Sequence, residues 1–340
     1  MTAAAHQPPT APRRALRAAV SPALLAVLLA VLLAAVVACG GGATPDHPPG
    51  GTSADQAPMA TTDADWKPVA DALARTGKLD SAGVYRIPLT RSDLAVVSQQ
   101  VAIKPGLSLG GYAAFARYHD ATLAMGDLVV TEAELPKVTD ALQSHGITQT
   151  ALHKHLLQQT PPVWWTHFHA MGDPARLAQG LRAALDTTTI PPATNTPPTS
   201  ASGQPPLDLD TPGIDHALGR PGTADGGVYK FSIPRRETIT DNGHILPPGT
   251  GVTTAINFQP LGGGQAATNG DLVLTAPEVT PVIQALRRGG IGLVELHNHA
   301  LTDQPRLFYL HYWATGDAVT LATTRRAATE ATNTQPGKPQ

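Results

Sequence analysis

The chain contains little cysteine, little charge and few aromatic side chains. Its 340 residues include one cysteine, Cys39, with 15% charged and 4% aromatic residues. A single cysteine excludes an internal disulfide and a cysteine-based metal site, so histidine and carboxylate groups are the side chains left to bind a transition metal. The formal net charge is −2, whereas proteins that bind nucleic acid usually carry a strong net positive charge. We therefore expect no nucleic-acid partner.

The N-terminus is typical of a bacterial lipoprotein signal. Arg13, Arg14 and Arg17 precede an apolar run over residues 24–37, and Ala38-Cys39 then resembles a lipobox. The alternative is a membrane-spanning anchor with an incidental cysteine, but the run is short for a full span. We therefore predict acylation of Cys39 and an exported protein, tethered to the bacterial membrane by its lipid outside the cytoplasm.

Composition divides the chain into segments. Stretches rich in Gly, Pro and Thr cannot build a core and are typical of tethers and linkers. The predicted order is a signal peptide (1–38), a flexible tether (39–64), a first repeat domain (65–187), a Pro/Thr-rich linker (188–206), a second repeat domain (207–332) and a disordered tail (333–340).

The two predicted domains are copies of each other. The run Gly83-Val84-Tyr85-Arg86 matches Gly227-Val228-Tyr229-Lys230, and Gly126-Asp127 matches Gly270-Asp271. Alternating Val- and Ile-rich stretches predict strands, among them one over residues 94–103, and capped amphipathic stretches predict helices. The sequence therefore predicts an α+β fold of two homologous tandem domains, each a largely antiparallel sheet with two or three helices.

Histidines recur at matching positions near the end of each copy. His153 and His155 are followed by His167, and His297 and His299 by His311. In the first copy, a hairpin with its turn near Thr160 places His153 opposite His167. The matching hairpin of the second copy places His297 opposite His311. The histidines then share one face of each hairpin, and Leu152 and Phe168 lie on the other, core-facing side. Three imidazoles on paired strands suit Zn²⁺ or another divalent metal. Cross-strand histidine and aromatic pairs that only stabilise the sheet are the alternative.

Carboxylates at matching positions are candidate fourth ligands or general bases. They are Asp127 and Glu134 in the first copy and Asp271 and Glu278 in the second. Glu295 is an extra candidate in the second copy, where the first has Ala151. The competing interpretation is structural: Glu134 stabilises a helix N-terminus and Gly126-Asp127 forms a turn.

The second copy resembles the LppY/LpqO family of bacterial envelope lipoproteins. The resemblance rests on residues 296–301, Pro305-Arg306 and residues 310–313, and it extends over most of residues 65–330. The first copy departs from the pattern at Lys154 and Pro162, which makes the second copy the better candidate for a working site. The resemblance implies an envelope location and a duplicated architecture, and no mechanism.

Three functions fit the sequence. The first is a membrane-anchored envelope protein that binds a divalent metal or small ligand through its histidines. The second is a metal-dependent hydrolase with a histidine tripod that activates water. The third is a structural or partner-binding module without a site. The substrate and the number of sites, one shared or two separate, stay open at this level.

Overall fold

The computed structural model describes residues 56–192 and 206–337. The signal peptide, Cys39, most of the predicted tether and most of the linker lie outside the described residues. Among the residues that are described, no helix is both long and apolar enough to cross a membrane.

The two repeats contain the same elements in the same order, except that a 3-10 turn (Pro248–Thr250) stands in the second where the first has the short helix α2. In the first they are α1 (Lys67–Leu73), β1 (Lys78–Leu79), β2 (Val84–Thr90), β3 (Val97–Ser98), β4 (Val101–Ala102), α2 (Pro105–Ser108), β5 (Gly110–Arg117), β6 (Thr122–Thr131), α3 (Leu135–Ser144), β7 (Thr148–His153), β8 (Gln159–Thr160), β9 (Val163–Gly172) and α4 (Pro174–Leu185). In the second they are α5 (Thr211–Leu218), β10 (Thr223–Asp225), β11 (Val228–Pro234), β12 (Thr240–Asp241), β13 (His244–Ile245), β14 (Thr253–Gly262), β15 (Gln265–Leu274), α6 (Ala276–Arg288), β16 (Gly292–His297), β17 (Asp303–Gln304), β18 (Phe308–Asp317) and α7 (Ala318–Glu330).

Each repeat forms one six-stranded antiparallel sheet and one small three-stranded sheet. The large sheets have the orders β1-β2-β5-β6-β9-β7 and β10-β11-β14-β15-β18-β16, and the small ones β4-β3-β8 and β13-β12-β17. The predicted α+β fold of two homologous repeats is confirmed.

The strands alternate between a helix-facing and an inner side. In β9, Phe168 packs in a core with helix residues such as Leu181, whereas Trp165 lies in a cluster that includes Val228 and Trp313 of the second repeat. Because successive side chains of a strand point to opposite faces, the odd-numbered residues of β9 face the other repeat. The histidines at 167 and 169 are therefore on the inner side.

The inner sides are bound to each other through the small sheets and the loops beside them. Gln259 of β14 accepts a hydrogen bond from the Lys104 backbone at 2.8 Å and donates one to the Ala102 carbonyl at 2.8 Å. On the opposite side, Tyr118 donates to the Ile245 carbonyl at 2.6 Å. Residues 56–192 and 206–337 consequently lie within one compact unit.

Several local predictions differ from the structure. The strand predicted over 94–103 is broken into β3 and β4, because Gln99 and Gln100 turn the chain at positive φ (45° and 71°). Leu152, predicted to face the core, is 47% exposed. At the C-terminus, the Asn333 backbone donates to Glu278 and Gln335 donates to the Pro234 carbonyl, so the hydrogen-bonded chain continues past residue 332.

Candidate metal centre between the repeats

Six histidine side chains meet on the inner side, three from each repeat. His153 stacks on His297 with 3.7 Å between ring centroids, His155 on His311 at 3.8 Å, and His167 on His299 at 3.6 Å. Residues 153, 155 and 167 of the first repeat correspond to residues 297, 299 and 311 of the second. The stacked pair His153 and His297 therefore joins equivalent residues. The other two stacked pairs are equivalent to each other, which is the pattern expected of an approximate two-fold relation between the repeats. Both repeats therefore contribute to one shared cluster.

Four of the six histidines lie in strands, in a register that differs from the predicted one, whereas His155 and His299 lie just beyond the ends of β7 and β16. His153 pairs with Trp165 and Ala151 with His167, and in the second repeat His297 pairs with Tyr309 and Glu295 with His311. The predicted register, with His153 opposite His167, is wrong by two residues. The connection between β7 and β9 is not a simple hairpin, since it contains β8 and pairs with β3. An error of two preserves parity, and the His153 and His167 centroids lie 5.0 Å apart.

Asp127 and Asp271 lie beside the cluster at equivalent positions. The Asp127 Oδ2 atom is 4.0 Å from His155 Nε2 and 3.9 Å from His167 Nε2, and Asp271 Oδ2 is 3.5 Å from His299 Nε2. The predicted turn at Gly126-Asp127 is wrong, because both residues lie in the middle of β6. The glycine is needed there for close strand packing: a Cβ atom at Gly126 would lie 2.1 Å from the Tyr112 carbonyl oxygen, and one at Gly270 would lie 2.0 Å from that of Ala255.

The other candidate acids belong elsewhere. Glu278 completes a capping box at the N-terminus of α6, and Glu134 accepts a hydrogen bond from the Thr131 backbone in the turn before α3. Both pair with buried arginines, at 2.7 Å from Arg91 Nη1 to Glu134 and 2.8 Å from Arg235 Nη1 to Glu278. Glu295 accepts a hydrogen bond from the Lys154 backbone of the other repeat at 2.6 Å. These three carboxylates therefore stabilise the fold, and Asp127 and Asp271 are the acids of the centre.

Potential ligand atoms converge within coordination range. Three groups have donor atoms that all lie within 4.8 Å of one another, and they could hold a metal ion: His153 with His167, His297 and His299; His153 with His155 and His311; and Asp271 with His299 and His311. Imidazole and carboxylate donors suit zinc and other divalent transition metals.

Many buried polar atoms of this centre have no hydrogen-bond partner among the described residues. They are Asp127 Oδ1, His153 Nδ1, His167 Nε2, Asp271 Oδ1, both ring nitrogens of His297, His299 Nε2 and His311 Nε2. A buried polar atom left unpaired costs about 1–3 kcal/mol, so such atoms are rare in folded proteins. Their concentration at one point fits a centre that is completed by a bound ion.

One histidine has its tautomer set by the backbone. His311 Nδ1 is 2.9 Å from the Gly270 carbonyl oxygen. Because a carbonyl only accepts, Nδ1 carries the proton and Nε2 presents a lone pair. A hydrogen bond from the second ring nitrogen is the usual support of a metal-binding histidine.

Burial keeps all six imidazoles neutral. Removal from water lowers the pKa of His167 to about 3 and that of His311 to about 4, and it depresses the pKa of the other four as well. Burial also raises the pKa of Asp271 to about 8, and burial together with the charge of Asp271 raises the pKa of Asp127. Neutral imidazole is the form that binds a metal, whereas each carboxyl group must lose a proton to do so.

A cavity of about 570 Å³ opens onto the centre. Asp127, Asp271 and four of the histidines line it, together with Arg86 and Lys230. Neither cation was predicted from the sequence as a site residue. The available signal was the basic residue that follows Gly-Val-Tyr in both copies.

Comparison with known proteins places the chain in a family. No curated protein matches it significantly. Solved structures that it resembles include a trimeric bacterial microcompartment shell protein, PduB (12% identity, 78% of this chain and 98% of that chain covered, TM-score 0.21), and EtuB from Clostridium kluyveri (11% identity, 78% and 97% covered, TM-score 0.18). At these scores the likeness carries no conclusion. A family model described as Domain of Unknown Function (DUF1259) matches residues 67–187 and 212–331. Both repeats match, and the chain therefore belongs to the DUF1259 family.

Proposed function

We propose that this protein binds a divalent transition metal ion, zinc in the first instance, at the centre formed by six histidines and two aspartates between its repeats. The observation that carries the proposal is the set of unpartnered, buried ligand atoms at one point. A sheet-stabilising role would leave them unpaired, because ring stacking satisfies neither an imidazole nitrogen nor a carboxylate oxygen. A metal ion satisfies several of them at once.

Metal analysis tests this proposal. We expect protein purified without chelator, or reloaded with Zn²⁺ after chelation, to retain zinc through gel filtration. The His297→Asn, His299→Asn double variant should lose it, whereas His216→Asn, which changes an exposed histidine on α5, should retain it. Equal zinc retention in both variants, or none in the wild-type protein, would contradict the proposal.

A second candidate function is metal-dependent hydrolysis. It is favoured by the cavity, which brings solvent and a small substrate to the centre. A metal-bound water is a strong nucleophile near neutral pH. Zinc-dependent turnover of an activated ester, lost in the same double variant, would support it; a zinc-loaded protein without turnover would leave binding as the function.

We further propose that the protein acts outside the cytoplasm, held to the membrane by acyl chains on Cys39. The signal-like N-terminus and the resemblance to envelope lipoproteins support this location. Cys39→Ser should remove the acyl chains, because the substitution removes the thiol that accepts them. The variant should then no longer pellet with the membrane, since each buried methylene of the chains contributes about 0.8 kcal/mol to anchoring. Mass spectrometry of the mature N-terminus measures the modification, and an unmodified wild-type Cys39 would refute the assignment.

A further inference from the structure

The cavity beside the metal centre is lined by matching residues of both repeats. Four pairs of equivalent positions contribute: Arg86 and Lys230, Asp127 and Asp271, His155 and His299, and His167 and His311. The cavity therefore lies on the approximate two-fold axis that relates the two repeats. A ligand in it would face two cations and both halves of the centre at once.

The two cations are held on the inner side by separate contacts. Arg86 Nη1 donates to the Gly249 carbonyl at 2.6 Å, and the guanidinium carbon lies 3.4 Å from the centroid of the Tyr112 ring. Lys230 Nζ is 2.6 Å from Asp225 Oδ2, whose side chain is 69% exposed. Because the Asp225 carboxylate is largely hydrated, it screens Lys230 only in part.

The charges of the wall favour an anion once a metal is bound. Its acidic residues are Asp127, Asp271 and Asp225. The first two would be neutralised by the ion, and the third is paired with Lys230. The Arg86 charge then leaves the wall net positive, and the metal ion can still accept an oxygen ligand. Arginine and metal ions are both groups that proteins use to bind phosphate oxygens.

We propose that this cavity binds a small tetrahedral oxyanion, a phosphate group, between the metal and the pair Arg86 and Lys230. This inference rests on the proposed metal function and adds the class of ligand. The volume of about 570 Å³ accommodates a phosphate ester as well as the free ion, since small-molecule sites span about 300–1,000 Å³.

Calorimetric titration of the zinc-loaded protein with inorganic phosphate tests the inference, with glycerol phosphate in a second arm and acetate in a third. We expect both phosphate probes to bind and acetate to bind at least tenfold more weakly. Tighter binding of glycerol phosphate would identify an ester as the natural ligand class; tighter binding of inorganic phosphate would identify the free ion.

Two variants separate an anion-binding role from a structural one. Lys230→Met leaves the Arg86 contacts in place and should weaken phosphate at least tenfold, and the Arg86→Met, Lys230→Met double variant should weaken it further. Arg86→Lys should retain most of the affinity, because lysine already stands at the equivalent position 230. Lys137→Met, an exposed cation on α3, is the matched control and should change nothing.

Zinc content is measured in every variant, so that the two proposals fail separately. Full zinc content with unchanged phosphate affinity in Lys230→Met and in the double variant would overturn the oxyanion site and leave the metal site intact. Equal phosphate affinity with and without zinc would overturn the part assigned to the metal. Loss of zinc from the wild-type protein would overturn the proposed function itself.

Discussion

The buried histidines of the centre respond to acid differently from its two aspartates. For each histidine the pKa in the folded protein lies below the usual 6.5. Between those lowered values and 6.5 the unfolded chain therefore binds more protons than the folded one, and stability falls as the pH falls. Asp127 and Asp271 act in the opposite direction, because their raised pKa values let the folded state hold the extra proton.

The six histidines outnumber the two aspartates, so we expect the metal-free protein to lose stability on acidification from pH 7 to 5.5. Each histidine contributes up to about 1.4 kcal/mol per pH unit in this window. Urea unfolding in the presence of chelator measures the loss. The His297→Asn, His299→Asn variant should show a shallower dependence; identical pH slopes for the two proteins would refute the assignment to the cluster.

At the scale of single elements, the N-termini of α3 and α6 depend on buried arginine–glutamate pairs. Arg91 is fully buried, and Glu134 accepts hydrogen bonds from it and from the Thr131 and Thr189 backbones. Although burial raises the pKa of Glu134, these hydrogen bonds and the charge of Arg91 dominate and lower it to about 2. Helix α6 repeats the arrangement with Glu278 and Arg235.

We expect Glu134→Gln to destabilise the protein by about 2 kcal/mol at pH 7, because it removes one of the two carboxylates, Glu134 and Asp93, that pair with the buried Arg91 charge. The folded pKa of Glu134 lies below the unfolded one. Its contribution is therefore complete above about pH 4.5 and is lost as the pH falls towards 2. Urea unfolding at pH 7 and pH 3 measures both values. Glu132→Gln, an exposed neighbour, is the control, and an equal effect of the two substitutions would contradict the role given to the pair.

At the scale of the whole molecule, neither repeat has a complete interior. Trp165 of the first repeat is buried in one cluster with Val228, Ala267 and Trp313 of the second, and Tyr309 of the second lies in another with Tyr118 and Met125 of the first. Each repeat alone would expose these side chains together with its half of the histidine cluster.

Separate halves, residues 56–192 and 206–337, should therefore bind zinc more weakly than the intact protein and should associate when co-expressed. The second half keeps only the group of Asp271, His299 and His311. Burial of shared apolar surface drives such association, and the six histidines come together only in the complex. Co-purification on a tag carried by one half, followed by metal analysis, measures both effects. A single half that is monomeric, cooperatively folded and binds zinc as tightly as the intact protein would contradict the shared centre.

Local pattern was enough to predict several features. The repeat follows from short segments that match between the two copies. The α+β class, the bond of Glu134 to Thr131 before α3 and the common face of His153 and His167 follow from residues close in the sequence. The physical reason is that strand parity and helix capping depend on neighbouring residues only. An error of two in the register therefore did not move the histidines to the other face.

Only the tertiary structure decided how these parts combine. The connection after His153 contains β8, which pairs with β3, so it is not the tight hairpin that the sequence predicted. Gly126-Asp127 lie within a strand at a close backbone approach, and Glu134 pairs with the buried Arg91 instead of joining the histidines. The joining of two histidine triads into one centre, and the placing of Arg86 and Lys230 beside it, arise from contacts between residues more than 100 positions apart. Their geometry depends on how two separately patterned surfaces pack, which no local periodicity determines.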